Sequence, residues 1–130
     1  MNYTLSKEIL EDIKKANKIL VNCHRSPDAD SAGSALALYE VLTSFNKDAK
    51  VICPARLPED LKFLPFSEKV EKIDFMKFDF AAYDLFIVLD SGNVAMVTKK
   101  KDIALPKIKK IVIDHHKTNE SVGDINLVDE

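Results

Sequence analysis

Two spacings of apolar residues alternate along this chain. Ile9, Leu10, Ile13 and Ala16 recur every three to four positions, which predicts a helix with one core-facing stripe, capped by Ser6 and running to about Asn17. The unbroken apolar run Ile19-Leu20-Val21-Asn22-Cys23 then reads as a buried strand. A polar, proline-containing loop, His24 to Gly33, leads to a second periodic stretch. From about Ser34 to Phe45, residues Ala35, Leu38, Tyr39 and Leu42 share a helical face.

The alternation continues. Val51-Ile52-Cys53 is a short strand that Pro54 ends, and Pro58 to Leu64 begins like a helix, with Pro at the first position and Glu59 and Asp60 behind it. Leu85 to Leu89 is the strongest strand, and Ile111 to Ile113 and Ile125 to Val128 follow. Continuous apolar strands alternating with helices predict an α/β fold with a mostly parallel sheet, flanked by helices and covered on both faces. Ligands of such sheets bind at the carboxyl ends of the strands.

Composition narrows the class. The chain has 130 residues, enough for one domain with a core, and its 46% hydrophobic and 31% charged content is that of a globular protein. No apolar run approaches the roughly 20 residues of a membrane helix, and the first dozen residues lack a signal-peptide core, so the expected compartment is the cytoplasm. Two cysteines, Cys23 and Cys53, are too few for a secreted scaffold and read as reduced core residues. A net charge of -2 argues against nucleic-acid binding through overall charge. Locally, seven lysines from Lys99 to Lys117 face two acids, Asp102 and Asp114; this is a solvated face or a means of drawing a polyanion to a nearby site.

The unusual residues fall at strand ends. His24-Arg25-Ser26-Pro27-Asp28-Ala29-Asp30 follows the first strand, Asp90 ends the strongest one, and Asp114-His115-His116 follows a third. Parallel strands would gather these clusters along one edge. Carboxylate and imidazole donors without thiolates suit Mn²⁺, Mg²⁺, Fe²⁺ or Zn²⁺ and argue against a structural zinc finger. Asp28 and Asp30, two apart in an extended loop, can each face one of two ions, with Asp90 bridging. Two ions roughly 3.5–4 Å apart activate a water and clamp a phosphate. Four carboxylates, Asp28, Asp30, Asp90 and Asp114, balance the charge of two divalent ions. Each residue also has a plainer reading: Asp30 or Ser31 as a helix cap, Asp90 as a turn residue, His24 as an ordinary loop histidine. Against that stands their joint placement, since all three histidines of the chain sit beside aspartates at strand ends. Gly33-Ser34, read as the opening of the second helix, would let a phosphate reach free backbone N–H groups, or is simply a tight entry to the helix. The Gly-rich and nucleophile-elbow motifs of kinases, dinucleotide-binding proteins and serine hydrolases are missing.

Together, Val21 to Ser34, Val88-Leu89-Asp90 and Val112-Ile113-Asp114-His115-His116 resemble, in order and spacing, the first three motifs of the DHH phosphoesterases, and Gly123 to Val128 resembles the segment that follows. The resemblance implies a Rossmann-like domain with two Mn²⁺ ions, Mg²⁺ or another divalent ion being an alternative. His24, Asp28 and Asp90 would hold one ion, and Asp30, Asp90 and His115 the other. His116 would contact the scissile phosphate, and Asp114 would orient a histidine. The nearest branch is that of oligoribonucleases and 3′-phosphoadenosine-5′-phosphate phosphatases, so the implied substrate is a nucleotide phosphate or short oligonucleotide. Pyrophosphate, polyphosphate and cyclic dinucleotides are alternatives within the class. Ala29 stands where the family usually has glycine. The family's fourth motif, a downstream aspartate, and its C-terminal substrate-binding domain are not in the 130 residues, so residues 1–130 are expected to be an incomplete DHH domain, a truncation whose own activity is open. Asp124 and Asp129, beside the last strand, are poor substitutes for that aspartate. Homodimers are common among such proteins, although no interface signature is visible here. The rival of another class is a DHH module that binds a nucleotide or a partner without turnover.

Overall fold

The computed structural model describes residues 3–130. Helix α1 spans Tyr3–Lys15, so Ser6 lies inside it rather than capping it. Ile9 is buried, with Leu5 and Ile13 packed beside it, while Leu10, counted in the predicted stripe, is exposed. Lys14 and Lys15 in the last turn suit the negative end of the helix dipole. Strand β1 (Lys18–Asn22) ends one residue before Cys23. Helix α2 spans Ala29–Ser44 and starts five residues before the predicted Ser34, because Asp28 supplies the cap.

The remaining strands are β2 (Asp48–Cys53), β3 (Val70–Lys72), β4 (Leu85–Leu89), β5 (Lys109–Asp114) and β6 (Ile125–Val128), with a five-residue helix α3 (Val94–Thr98) between β4 and β5. β3 and α3 were not predicted. The segment after Pro58 forms only a 3₁₀ turn, Glu59–Leu61, with Pro58 as its cap residue. All pairings are parallel, in the order β3-β2-β1-β4-β5-β6. This is the doubly wound arrangement, and the order reverses between β1 and β4. Beyond the carboxyl ends of those two strands the connections diverge and leave a crevice.

The two faces are covered by different means. Ile19 and Val21 of β1 and Ile87 and Leu89 of β4 face α1 and α2. The alternate residues Leu20, Phe86 and Val88 face the other way. On this second face α3 contributes Val97, and an aromatic-rich connection supplies much of the remaining cover, in which Phe75 and Phe80 pack on Phe86 with ring centres 6.2 and 5.9 Å away. Aromatic side chains bury about 150–250 Å² each, so an irregular segment can seal a sheet face that would otherwise need a helix. Both cysteines are free and buried. Among the described residues no helix is long and apolar enough to cross a membrane.

Candidate metal centre

The crevice is built first by α2. Asp28 has extended backbone geometry, and its Oδ1 accepts a hydrogen bond from Ser31 N at 2.9 Å, which fixes the start of the helix. Its other oxygen lies 3.7 Å from His24 Nε2. One carboxylate thus caps the helix with one oxygen and turns the other toward His24. Ser31, fully buried, accepts from His24 N through Oγ at 3.0 Å and so ties the His24 loop to the helix.

Asp90 comes from the other side of the reversal. It ends β4 in the left-handed region, φ 55°, which aspartate tolerates better than most residues. Its N–H donates to Ile113 O at 3.0 Å, which holds the turn. The carboxylate then points across the crevice. Oδ2 is 3.5 Å from His24 Nε2 and Oδ1 is 3.0 Å from His115 Nε2. Asp30, in the first turn of α2, places Oδ2 3.5 Å from the same His115 nitrogen. Two groups thus share one carboxylate: His24 with Asp28, and His115 with Asp30. Asp90 is almost completely buried, and burial first, then the charge of Asp30, raises its pKa above the ordinary aspartate value. A buried carboxylate beside two others is a site that favours cations.

His116 is oriented differently. Its Nδ1 is 2.7 Å from Asp114 Oδ1, and Asp114 also accepts from His115 N at 2.9 Å and from Asn119 Nδ2 at 2.7 Å. Burial opposes the charge on Asp114, but the bonds from Asn119, His116 and the backbone outweigh it and hold its carboxyl below the usual value. The bond to Asp114 in turn raises the His116 pKa and favours the imidazolium. Ligand atoms of Asp90, Asp114, His115 and His116 lie within 4.8 Å of one another, as do those of His24, Asp28 and Asp90. Asp114 is thus engaged by three protein groups, one of them the His116 ring.

Gly33 and Ser34 do not open the helix. They lie in its second turn, where their N–H groups belong to the helical ladder, so the anion-binding reading of that backbone is corrected. Ser34 still borders the centre, its Oγ donating to Asp30 Oδ1 at 3.3 Å, whereas Gly33 lines a separate depression on the far face of α2. Asp124 is at the amino end of β6, bonded to Lys110, while Asp129 borders a cavity of about 420 Å³ beside His115.

A family model described as the DHH family, N-terminal domain, matches residues 18–130. The chain belongs to the DHH family. It is 31% identical to the bifunctional oligoribonuclease and PAP phosphatase NrnA of Thermus thermophilus, over 96% of this chain and 35% of that protein. It is 27% identical to the cyclic-di-AMP phosphodiesterase PdeA of Listeria monocytogenes, over 95% of this chain and 20% of that one. An exopolyphosphatase-related protein from Bacteroides fragilis superposes with a TM-score of 0.85 at 28% identity, covering 98% of this chain and 39% of that one. The chain thus spans less than two fifths of the length of each.

Two contributors to this DHH centre escaped the sequence reading. Ser31 was considered only as a cap. Asn119 was not singled out, yet it holds Asp114, and its Oδ1 accepts from Ser121 N at 2.7 Å. Gly92 is what admits it: a Cβ there would lie 2.1 Å from the Asn119 side chain. The Asn three residues after His116, a turn-forming residue behind a strand-end histidine pair, was the available signal.

Proposed function

We propose that the crevice is the catalytic face of a phosphoester hydrolase that uses two divalent cations, Mn²⁺ first among them, on short oligonucleotides or nucleotide phosphates. The observation that carries this is Asp90, whose two oxygens face two separate histidine–carboxylate groups. The donor set fits the ions: imidazole and carboxylate only, arranged around a buried negative charge. Bound ions would supply Lewis-acid activation of a water and of the phosphoryl oxygens.

The chain's own residues do the rest. His24, Asp28 and Asp90 form one ligand group, and Asp30, Asp90 and His115 the other. Ligation through His24 Nε2 puts the ring proton on Nδ1, so the long 3.3 Å contact from Ser26 N to that atom must give way. His116, oriented by Asp114, which also favours its imidazolium form, donates a hydrogen bond to a phosphoryl oxygen and stabilises charge that grows during displacement.

The test is release of phosphate from a nucleoside bisphosphate, and of mononucleotide from a dinucleotide, with Mn²⁺ added and removed. Asp90→Asn is the control, because asparagine also tolerates the left-handed backbone. The expected result is a rate that needs the metal and is lost in the variant. A metal-independent rate, or one the substitution leaves alone, defeats the assignment. Binding without turnover would instead mark a non-catalytic nucleotide-binding module.

A further inference from the structure

The carboxyl edge of the sheet carries a second concavity, on the β2–β3 side of the crevice, of about 430 Å³. Its floor is apolar: Pro54, Ile73 and Phe75 line it and are themselves buried. Its other walls carry Lys72, Lys99 and Lys100, all exposed. Among the described residues, none of these three ammonium groups is within ion-pair distance of a carboxylate.

The other lysines of the lysine-rich stretch divide: Lys101 and Lys107 are likewise without an ion pair among the described residues, and three are paired. Lys109 pairs with Asp12, Lys110 with Asp124 and Lys117 with Glu130. The acid in the concavity, Asp74, spends Oδ1 on Met76 N at 2.9 Å. Three cations against one carboxylate leave a positive excess around an apolar floor.

The lysines also stand on fixed backbone. Thr98 is buried; its Oγ1 is 2.8 Å from Val94 O and 2.9 Å from Lys100 O, and it accepts from Lys100 N at 3.0 Å. Lys99 closes α3 in the left-handed region, φ 65°, where glycine or asparagine is the low-cost residue. The charge of Lys99 is felt by the Cys53 thiol, which burial pushes up and Lys99 opposes. Cys53 Sγ lies 3.5 Å from His24 O, and Arg25 N donates to Met96 O of α3 at 2.8 Å, so the concavity adjoins the metal-centre loop.

We propose that this concavity binds a phosphate group of the substrate other than the one being hydrolysed. The proposal rests on the phosphoester-hydrolase reading. It implies that substrates with two phosphates, one at the centre and one here, bind better than those with one.

The test has a metal-free arm and a turnover arm. In the presence of a chelator, amide resonances of the chain are followed during titration with adenosine 3′,5′-bisphosphate, adenosine 5′-monophosphate or inorganic phosphate. The bisphosphate should shift the amides of Lys72 to Phe75 and Thr98 to Lys100. Loss of two charge-assisted contacts in the double variant Lys72→Gln/Lys100→Gln should weaken that binding about tenfold or more. With Mn²⁺ added, the same variant should raise the KM for the bisphosphate by a similar factor. Unmoved amides, or an unchanged affinity in the variant, overturn the proposal. Equal affinity for inorganic phosphate and the bisphosphate also overturns it, since that marks a general anion site. If no Mn²⁺-dependent turnover exists at all, the hydrolase reading fails separately, and the metal-free titration still decides whether the concavity takes the second phosphate.

Discussion

The two sides of Asp90 are built from the same kinds of ligand but held very differently. On one side, the His24 side chain is 6% exposed and sits on a backbone bonded to Ser31, while Asp28 is fixed as the cap of α2. On the other, the His115 and Asp30 side chains are 57% and 59% exposed, and the Asp30 carboxylate is held only by the long 3.3 Å bond from Ser34 among the described residues. The first group is assembled by the fold before any ion arrives. The second is open to solvent and to substrate. Pre-organised ligands lose less freedom when an ion binds, so in the proposed two-ion centre the buried side should be the tighter of the two.

The largest expected effect tests that difference. Calorimetry with Mn²⁺ should resolve two classes of site. His24→Ala should abolish the tighter one, and His115→Ala should remove the weaker one and leave the tighter within a few fold. Each first ligand should count for more than the roughly 10–100-fold that loss of an outer partner costs. Two classes lost together in either variant would show that the halves are not separable. One class with equal contributions would show that burial does not rank them.

A smaller effect separates the two duties of Asp28. Asparagine caps a helix about as well as aspartate, so Asp28→Asn should leave the urea midpoint almost unchanged, within about 0.5 kcal/mol of wild-type stability. It removes the charge that faces His24, and ion affinity on the buried side should fall by at least tenfold, on the order expected for a lost ligand. If stability and affinity fall in step, the cap rather than the charge is what the centre needs from this residue.

How much of this could be read in the sequence follows the same divide. The central strands β1 and β4 were legible because they are buried on both faces and so appear as continuous apolar runs. The convergence of His24, Asp90 and the Asp114–His116 group was legible because each lies just beyond such a run. The start of α2 was misplaced because Asp28 and Asp30 were read as loop residues, although an Asp two residues before a small-residue stretch is also a cap signal. Edge strand β3 has three residues, one half-buried and two exposed, so it offers no pattern to detect. The second sheet face was read as covered without its cover being specified, because alternation alone cannot distinguish a covering helix from the Phe75–Tyr83 connection, whose rings do the same work without periodicity. Asn119 stayed hidden because its role arises from a loop folding back onto Gly92, a contact between positions 27 apart.

The smallest effect compares the two ends of β4 itself. Asp90 follows the strand and is raised by burial, whereas Asp84 precedes it, is exposed, and is lowered by the N–H groups of Lys18 and Asn17, each donating to Oδ2 at 2.8 Å. Asp84 therefore ties the α1–β1 junction to the start of β4. A carboxyl whose folded pKa lies below its unfolded one, about 3.9 for aspartate, stabilises the fold fully above that unfolded value. The contribution disappears as pH falls through the lower, folded value. Asp84→Ala should thus lower the urea midpoint at pH 7, and the gap between variant and wild type should shrink steadily as the pH is taken below about 4. Ion binding at the carboxyl edge should be unaffected at pH 7. A gap that persists undiminished at the lowest pH would mean that the side chain's packing, not its charge, joins α1 to β4, and the contrast between a structural and a functional aspartate on one strand would fall.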